Sequence, residues 1–358
     1  LRIVDVDPFF HPYNGGIERR IYDTSRLLAE KGHDVTVLTG QLPGTKEEET
    51  MDGFRVIRLR SRFINIYNPP YISSKGVGEM LASLDADIVN YNYRWAPSYN
   101  KPLAAYKGKK VFTYHNMWGE GIGIQARLSE INDNLFKKGL LTYDHIICVS
   151  DYVKNDLIRR GIDENKLTTV ISGINELPEM SAEEEDHILS LGRLVRTKGL
   201  DHLMKAMIDV PHRLIMCGKG PDLNRLKKFA KKYDIEDRVE IRGFVPEEEK
   251  ERLMSKCKFF VMPSLFESFG LAAVELMSYG RPVVCTDVNG LPDTVGNAAV
   301  IVKPKDPVGL AEAMNSLLAD TNRRKELGVN ARSRAESCLW KYHIDSIEDV
   351  YRKVIDSP

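Results

Sequence analysis

The sequence predicts an α/β protein made of two doubly wound domains, each a mostly parallel sheet with helices on both faces. Three observations carry this. Short apolar segments alternate with helical ones along the chain, the grammar of strand–helix–strand units. The alternation restarts after residues 176–187, an acidic stretch with no strand pattern that reads as a linker. A length of 358 residues also exceeds the size to which one hydrophobic core usually grows.

The first run opens with a strand at 1–6, a Gly-Gly turn and a helix over about 17–31 that Gly32-His33 ends. Asp34–Thr39 is the next strand, and Met51–Leu59 is a glycine-punctuated strand pair or sheet edge. Asp87–Tyr91, Lys110–Tyr114 and His145–Ser150 are further strands, the last followed by a helix over about 151–160. The second run has strands at Ile188–Leu191, His212–Cys217, Val239–Gly243, Phe259–Pro263, Pro282–Thr286 and Ala299–Val302. Its helices are expected at 198–208, 221–233, 247–255, 269–279, 307–319 and 321–337.

Composition narrows the function classes. Lys plus Arg and Asp plus Glu are both 51, so no net charge draws the chain to nucleic acid or anionic lipid, and nucleic acid is not an expected partner. The five cysteines, Cys148, Cys217, Cys257, Cys285 and Cys338, form no Cys-x-x-Cys pair. Such a scattered, odd set favours reduced thiols in the cytoplasm over a disulfide frame or a zinc site. No run approaches the ~20 apolar residues of a spanning helix, and the chain starts on a strand with no signal-peptide pattern, so a cytoplasmic protein is expected.

Open α/β sheets bind ligands at the carboxyl ends of their strands. Two such sheets are expected to face each other across a cleft, with the substrate between them. The residues at those ends suit a sugar nucleotide. Glu267 and Glu275 lie eight residues apart, one in the loop after strand 259–263 and one on the following helix. The amides of Phe269, Gly270 and Leu271 open that helix, where unpaired N–H groups and the helix dipole favour an anion. A carboxylate accepts from two vicinal hydroxyls, so Glu275 suits a ribose and Glu267 the hydroxyls of a transferred sugar. The plainer alternatives are a capping carboxylate for Glu267 and a surface position for Glu275. Arg193 and Lys198 follow strand 188–191, and a guanidinium fork with a compact ammonium neutralises a diphosphate. A solvated basic loop is the alternative. Gly15-Gly16 permits close approach of backbone to an anion, although the spacing is not Gly-x-Gly-x-x-Gly. Gly218 and Val245 follow two further strands, where a base could pack.

These segments resemble the family-four group of retaining GT-B glycosyltransferases over nearly the whole chain. Gly15-Gly16-Ile17-Glu18 is similar to its Gly-Gly-x-Glu loop, Gly192-Arg193 with Lys198-Gly199 to its diphosphate motif, and Glu267 through Glu275 to its E-x7-E signature. The resemblance implies a GT-B fold: an acceptor-side domain over 1–175, a donor nucleotide-sugar domain over 176–335, and a C-terminal segment, 336–358, crossing back to the first domain with Trp340 and Tyr351 as anchors. It implies that the Gly16 amide, Arg193 and Lys198 hold the donor diphosphate and Glu275 the ribose. Glu267 and the amides of Phe269, Gly270 and Leu271 then orient the sugar and its leaving phosphate, and Gly218 and Val245 border the base. His115 matches a histidine beside donor sugar and acceptor. Ser172-Gly173-Ile174-Asn175 departs from the usual Asn-Gly-x-Asp turn, and Asn90 stands where relatives often carry His.

The expected activity is transfer of a hexosyl unit from a nucleoside diphosphate sugar, UDP- or GDP-linked, to a hydroxyl of a glycan, glycolipid or small polyol. Anomeric configuration is retained, no metal or other cofactor is required, and cationic residues and helix amides meet the leaving-group charge. A sugar-nucleotide 2-epimerase and a non-catalytic sugar-nucleotide-binding protein are the alternatives. Residues 62–72, aromatic and apolar with a basic start, are candidates for a lipid-linked acceptor or peripheral contact at the inner membrane face, or for packing on their own domain. Trp118 and Tyr93 are further acceptor-side candidates. Oligomeric state is not legible.

Overall fold

A computed structural model describes residues 1–64, 70–181 and 183–357. The chain divides into two compact units, one comprising Leu1–Gly173 with Trp340–Pro358 and the other Ile174–Leu339.

In the first unit the elements run β1 (Arg2–Val6), α1 (Gly16–Glu30), β2 (Asp34–Gly40), β3 (Glu48–Met51), β4 (Phe54–Leu59), β5 (Ser61–Ile64), β6 (Tyr71–Ser74), α2 (Val77–Ser83) and β7 (Ile88–Tyr91). Then come α3 (Pro97–Ala105), β8 (Lys110–Tyr114), α4 (Ile124–Leu140), β9 (His145–Cys148), α5 (Asp151–Arg159) and β10 (Leu167–Thr169). The eight-stranded sheet has the order β10-β9-β8-β7-β1-β2-β4-β3. All its pairs are parallel except β3 with β4. The inner strands β7, β8 and β9 are buried at every residue, as helices on both faces require.

In the second unit they run β11 (Ile188–Leu191), α6 (Leu200–Ala206), β12 (Leu214–Cys217), α7 (Leu223–Lys232), β13 (Val239–Gly243), α8 (Glu247–Lys256) and β14 (Phe260–Met262). They continue with α9 (Leu271–Met277), β15 (Val283–Thr286), α10 (Leu291–Val295), β16 (Ala299–Val302), α11 (Pro307–Ala319) and α12 (Thr321–Glu336). Six parallel strands lie in the order β13-β12-β11-β14-β15-β16. Strand order reverses between β11 and β14, the position at whose carboxyl ends open α/β sheets bind ligands.

The last helix, α13 (Ile344–Asp356), belongs to the first unit. Ile344, Ile347, Val350, Tyr351 and Val354 follow helical spacing and join Ile3, Ile21, Leu28 and Val35 in one core, with Trp340 buried among them. The expected return of the C-terminal segment, with Trp340 and Tyr351 as anchors, is therefore the observed packing. The Arg20 guanidinium lies 5.1 Å from the centre of the Trp340 ring and donates to Ser172 Oγ at 3.1 Å and to the Val170 carbonyl at 3.0 Å. Ser172, unusual for the family turn, thus completes a buried hydrogen-bond set.

Elsewhere the elements differ from expectation. The single helix expected at 198–208 is broken: a short 3-10 turn at Arg196–Lys198 ends at Gly199, whose φ of +64° resets the chain before α6. Helices α2, α3, α4 and α10 and the β5–β6 hairpin have no counterpart in the sequence reading. In the 62–72 segment, residues 65–69 lie outside those described. Of its flanks, Ile72 is buried and Phe63 sits 6.3 Å from the Phe9 ring. Ile64, by contrast, is 49% exposed. Among the described residues no helix is long and apolar enough to cross a membrane.

Candidate active site

The loops leaving β11 and β14 carry the donor-side candidates, and backbone contacts bind the loops together. Leu265 N donates to the Thr197 carbonyl at 2.8 Å. A side chain on Gly199 would put its Cβ 1.9 Å from the Pro263 carbonyl oxygen, so only glycine lets the segment carrying Lys198 approach β14 so closely. The same logic holds at the next strand end. A Cβ on Gly218 would lie 1.7 Å from the Gly192 carbonyl oxygen, and Gly218 has φ +148°. Gly218 therefore acts first as a close-approach residue that seats the Arg193 loop.

Within this frame Lys198 Nζ meets Glu267 Oε2 at 2.5 Å, both side chains being mostly covered. Glu267 is itself clamped through its backbone: its N–H donates to Asn289 Oδ1 at 3.3 Å and its carbonyl accepts from Gly290 N at 3.1 Å. Gly270, in the left-handed region at φ +97°, starts α9 with no side-chain cap, so no residue competes for the helix's first amides. Phe269 and Gly270 are buried and Leu271 is half-buried. Glu275 sits in the second turn of α9, half-buried, with Lys250 Nζ 3.9 Å from Oε2. Arg193 is exposed and its guanidinium makes no hydrogen bond or ion pair among the described residues. The structure thus joins Lys198 to Glu267 directly and sets Arg193 and Glu275 on the same end of the same sheet.

Val245 is half-buried after β13, but the prominent group there is Phe244, 61% exposed, with Lys219 Nζ 4.2 Å from its ring centre. Sequence reading passed over Phe244. An exposed aromatic flanked by a cation at a strand carboxyl end is a surface on which a base stacks.

Gly16 and His115 belong to the first unit. Gly16 is the first residue of α1, and an added Cβ there would meet nothing within 4 Å. Gly15 offers no side-chain cap, and the Glu18 carboxylate lies at the start of the helix, its Oε2 2.4 Å from where a Gly15 Cβ would stand. His115 follows β8 and is buried at the end of a polar chain. Asn90 and Asn92 both donate to Asp5 Oδ1, at 2.6 and 3.1 Å, and Thr113 Oγ1 donates to Asn90 Oδ1 at 2.8 Å. Because the Asn92 amide nitrogen faces Asp5, its oxygen faces His115 Nε2 at 3.0 Å. That assigns the Nε2–H tautomer and leaves Nδ1 as an acceptor. Burial, with Arg20 and Arg94 adding repulsion, holds the imidazolium well below the usual histidine range, so the ring is neutral near pH 7. Tyr93 and Trp118 are both buried, Trp118 under the Arg160 guanidinium at 4.7 Å.

Burial also pushes the Asp5 carboxyl up to about 6 from 3.8, against the lowering effect of the two asparagines. The sign follows from linkage. Below the unfolded value both states hold the proton; between 3.8 and about 6 only the folded state does, so rising pH removes stability there. Asp5→Asn, which keeps the oxygen that accepts from both asparagines, should match the parent at pH 3.5 and exceed it at pH 8 by on the order of 3 kcal/mol. Denaturant titration at the two pH values measures this, and equal stability at pH 8 would refute it.

Two Asp-x-Asp triplets occur, Asp5-Val6-Asp7 and Asp85-Ala86-Asp87, so metal independence cannot be argued from the absence of that spacing. Asp85 and Asp87 pair with Arg2, and Asp5 is held by amides. Among the described residues no group of three or more His, Cys, Asp or Glu is arranged to hold a metal.

Comparison with known proteins bears on the family and the fold. The family described as "Glycosyl transferases group 1" matches residues 176–334, and "Glycosyltransferase Family 4" matches residues 14–176. A relative named "Uncharacterized glycosyltransferase MJ1178" from Methanocaldococcus jannaschii is 31% identical over 97% of each chain. Among solved structures, sucrose-phosphate synthase from Thermosynechococcus elongatus superposes with a TM-score of 0.83 at 24% identity, covering 99% of this chain and 98% of that one. HepE from Anabaena, solved with UDP and glucose, superposes with a TM-score of 0.75 at 17% identity over 99% of each chain. Two doubly wound units, a returning C-terminal helix and these matches across both units lead to one assignment: the chain belongs to the GT-B glycosyltransferases of the group 1 and family-four type.

Proposed function

We propose that this glycosyltransferase moves a hexosyl unit from a nucleoside diphosphate sugar to a hydroxyl of a glycan, glycolipid or small polyol, with retention at the anomeric carbon. The observation that carries the reading is the Lys198–Glu267 pair at the point where strand order reverses, with the unpaired Arg193 guanidinium on the adjoining loop. Two cations and the α9 amides receive the diphosphate; Glu275 accepts from the ribose and Glu267 from the sugar hydroxyls; Phe244, Gly218 and Val245 border the base. The C1–O bond to phosphate breaks as the acceptor oxygen bonds C1 on the same face, and the acceptor's proton passes to the departing phosphate oxygen. Gly16 N–H steadies the diphosphate, and neutral His115 orients a hydroxyl through Nδ1. Charge is met by protein groups, so turnover needs no metal. That HepE is solved with UDP supports a UDP-linked donor over a GDP-linked one. Five unpaired, buried cysteines fit a cytoplasmic protein.

Calorimetric titration with UDP-, GDP- and ADP-sugars, followed by assay of nucleoside diphosphate release with and without chelator, tests this. Binding of one donor class with acceptor-dependent release is expected. Donor conversion without an acceptor would make the chain an epimerase, and binding without release across a broad acceptor panel would make it a binding protein.

A further inference from the structure

Helix α4 has two unlike faces. Its inner face buries Asp133, Phe136 and Leu140. Its outer face shows Ile124, Leu128, Ile131 and Leu135, exposed by 77, 61, 57 and 70%. Their spacing of four, three and four residues stacks them in one stripe along the helix. Ile122 before the helix and Leu141 after it extend the stripe at both ends and are also exposed.

Large aliphatic side chains scattered singly on a surface need no explanation, but a continuous row does. The charges beside it say what covers it. Arg127 and Lys138 are exposed and flank the row on one side, about 40 to 60° around the helix from its centre. Lys137 Nζ donates to the Arg160 carbonyl at 2.6 Å, which places Arg159 and Arg160 against the helix's C-terminal end. Opposing acids are few. Glu130 is the exposed acid of the helix, Asp133 is buried against Arg94, and Asp156 pairs with Arg159 and Arg160.

We propose that α4 lies in the plane of an anionic bilayer surface, its aliphatic row inserted at the headgroup boundary and Arg127 and Lys138 paired with lipid phosphates. This docking stands on the helix alone. Its corollary, that a membrane-borne acceptor is brought to the unit carrying His115, rests on the transfer reading above.

The test is co-sedimentation of the full chain with vesicles of phosphatidylcholine, with and without phosphatidylglycerol. Binding to the anionic vesicles should exceed binding to the neutral ones about tenfold and weaken with salt. L128S/L135S should lose about tenfold in partitioning with its melting temperature unchanged, because both side chains are exposed. R127E/K138E should lose binding to anionic vesicles selectively. Absence of vesicle binding, equal binding by the variants, or a dimer in analytical ultracentrifugation that L128S/L135S dissolves would each overturn the proposal. None of these outcomes depends on glycosyl transfer, so failure here and failure of the donor titration are separable.

Discussion

Lys198→Ala is expected to lower donor turnover by about two to three orders of magnitude while the protein stays folded. The magnitude is that of removing one preorganised charge from a developing oxyanion. In the donor-free protein the ammonium is engaged with Glu267, so the leaving phosphate must take it over as negative charge grows. The pair neutralises both charges in the donor-free protein and fixes the Glu267 carboxylate. Deleting the ammonium therefore does two kinds of damage: the diphosphate loses a cation, and Glu267 is left as an unbalanced anion beside it. A second variant separates them. Glu267→Gln frees Lys198 for phosphate, so nucleoside diphosphate should bind at least as tightly as in the parent while turnover falls with the lost sugar contact. Neither residue belongs to the buried core of its unit, so thermal stability should change little. Turnover of Lys198→Ala within about threefold of the parent would remove leaving-group stabilisation by this residue.

The donor end was legible because its features are local in sequence. A strand, a glycine, a basic loop and a helix start follow one another at 188–200, and again in carboxylate form at 260–275. What the sequence hid were pairings that skip along the chain. Lys198 and Glu267 are 69 residues apart, and nothing in the spacing says they touch. The close approach behind Gly218 needs the Gly192 carbonyl, which only the parallel register of β11 and β12 supplies. Phe244 lies in the segment Gly243–Pro246 that the sequence sets after a strand, where a base could pack, but its 61% exposure is legible only in the fold.

Helix α4 shows a different reason for a miss. Apolar residues at helical spacing normally mark the buried face. In α4 the longer apolar row is on the exposed face, while the face turned inward carries Asp133 beside Phe136 and Leu140. Such a segment carries no core signature, so the pattern over 115–144 predicts no helix. The inversion is what makes α4 a candidate for work at a surface, and it required a buried polar arrangement beneath it.

That arrangement gives the largest stability effect expected. Asp133→Ala should destabilise the first unit by about 3–5 kcal/mol, the usual consequence of stranding one member of a buried ion pair. Asp133 accepts from Arg94 Nε at 2.6 Å and Nη2 at 3.2 Å, and both side chains are almost fully buried. The pair also ties down the segment after β8: Gly119 N donates to Asp133 Oδ2 at 2.8 Å, and Arg94 Nη2 donates to the Met117 carbonyl at 2.6 Å. The Arg94 guanidinium stacks 4.2 Å from the centre of the Trp95 ring, so it has no route to water once its carboxylate is gone. An apolar pair distinguishes the charge from the tether. Arg94→Met with Asp133→Leu removes both charges together and should recover most of the lost stability, since exchanging a buried ion pair for packed hydrophobes is often neutral. It cannot restore the bonds to Gly119 and Met117, so the loop that begins at His115 stays loose. The double variant should therefore denature near the parent's midpoint yet turn over donor poorly. If it were as active as the parent, the ion pair would be a device of folding alone, and the positioning of His115 would have to come from Asn92 and Asp5.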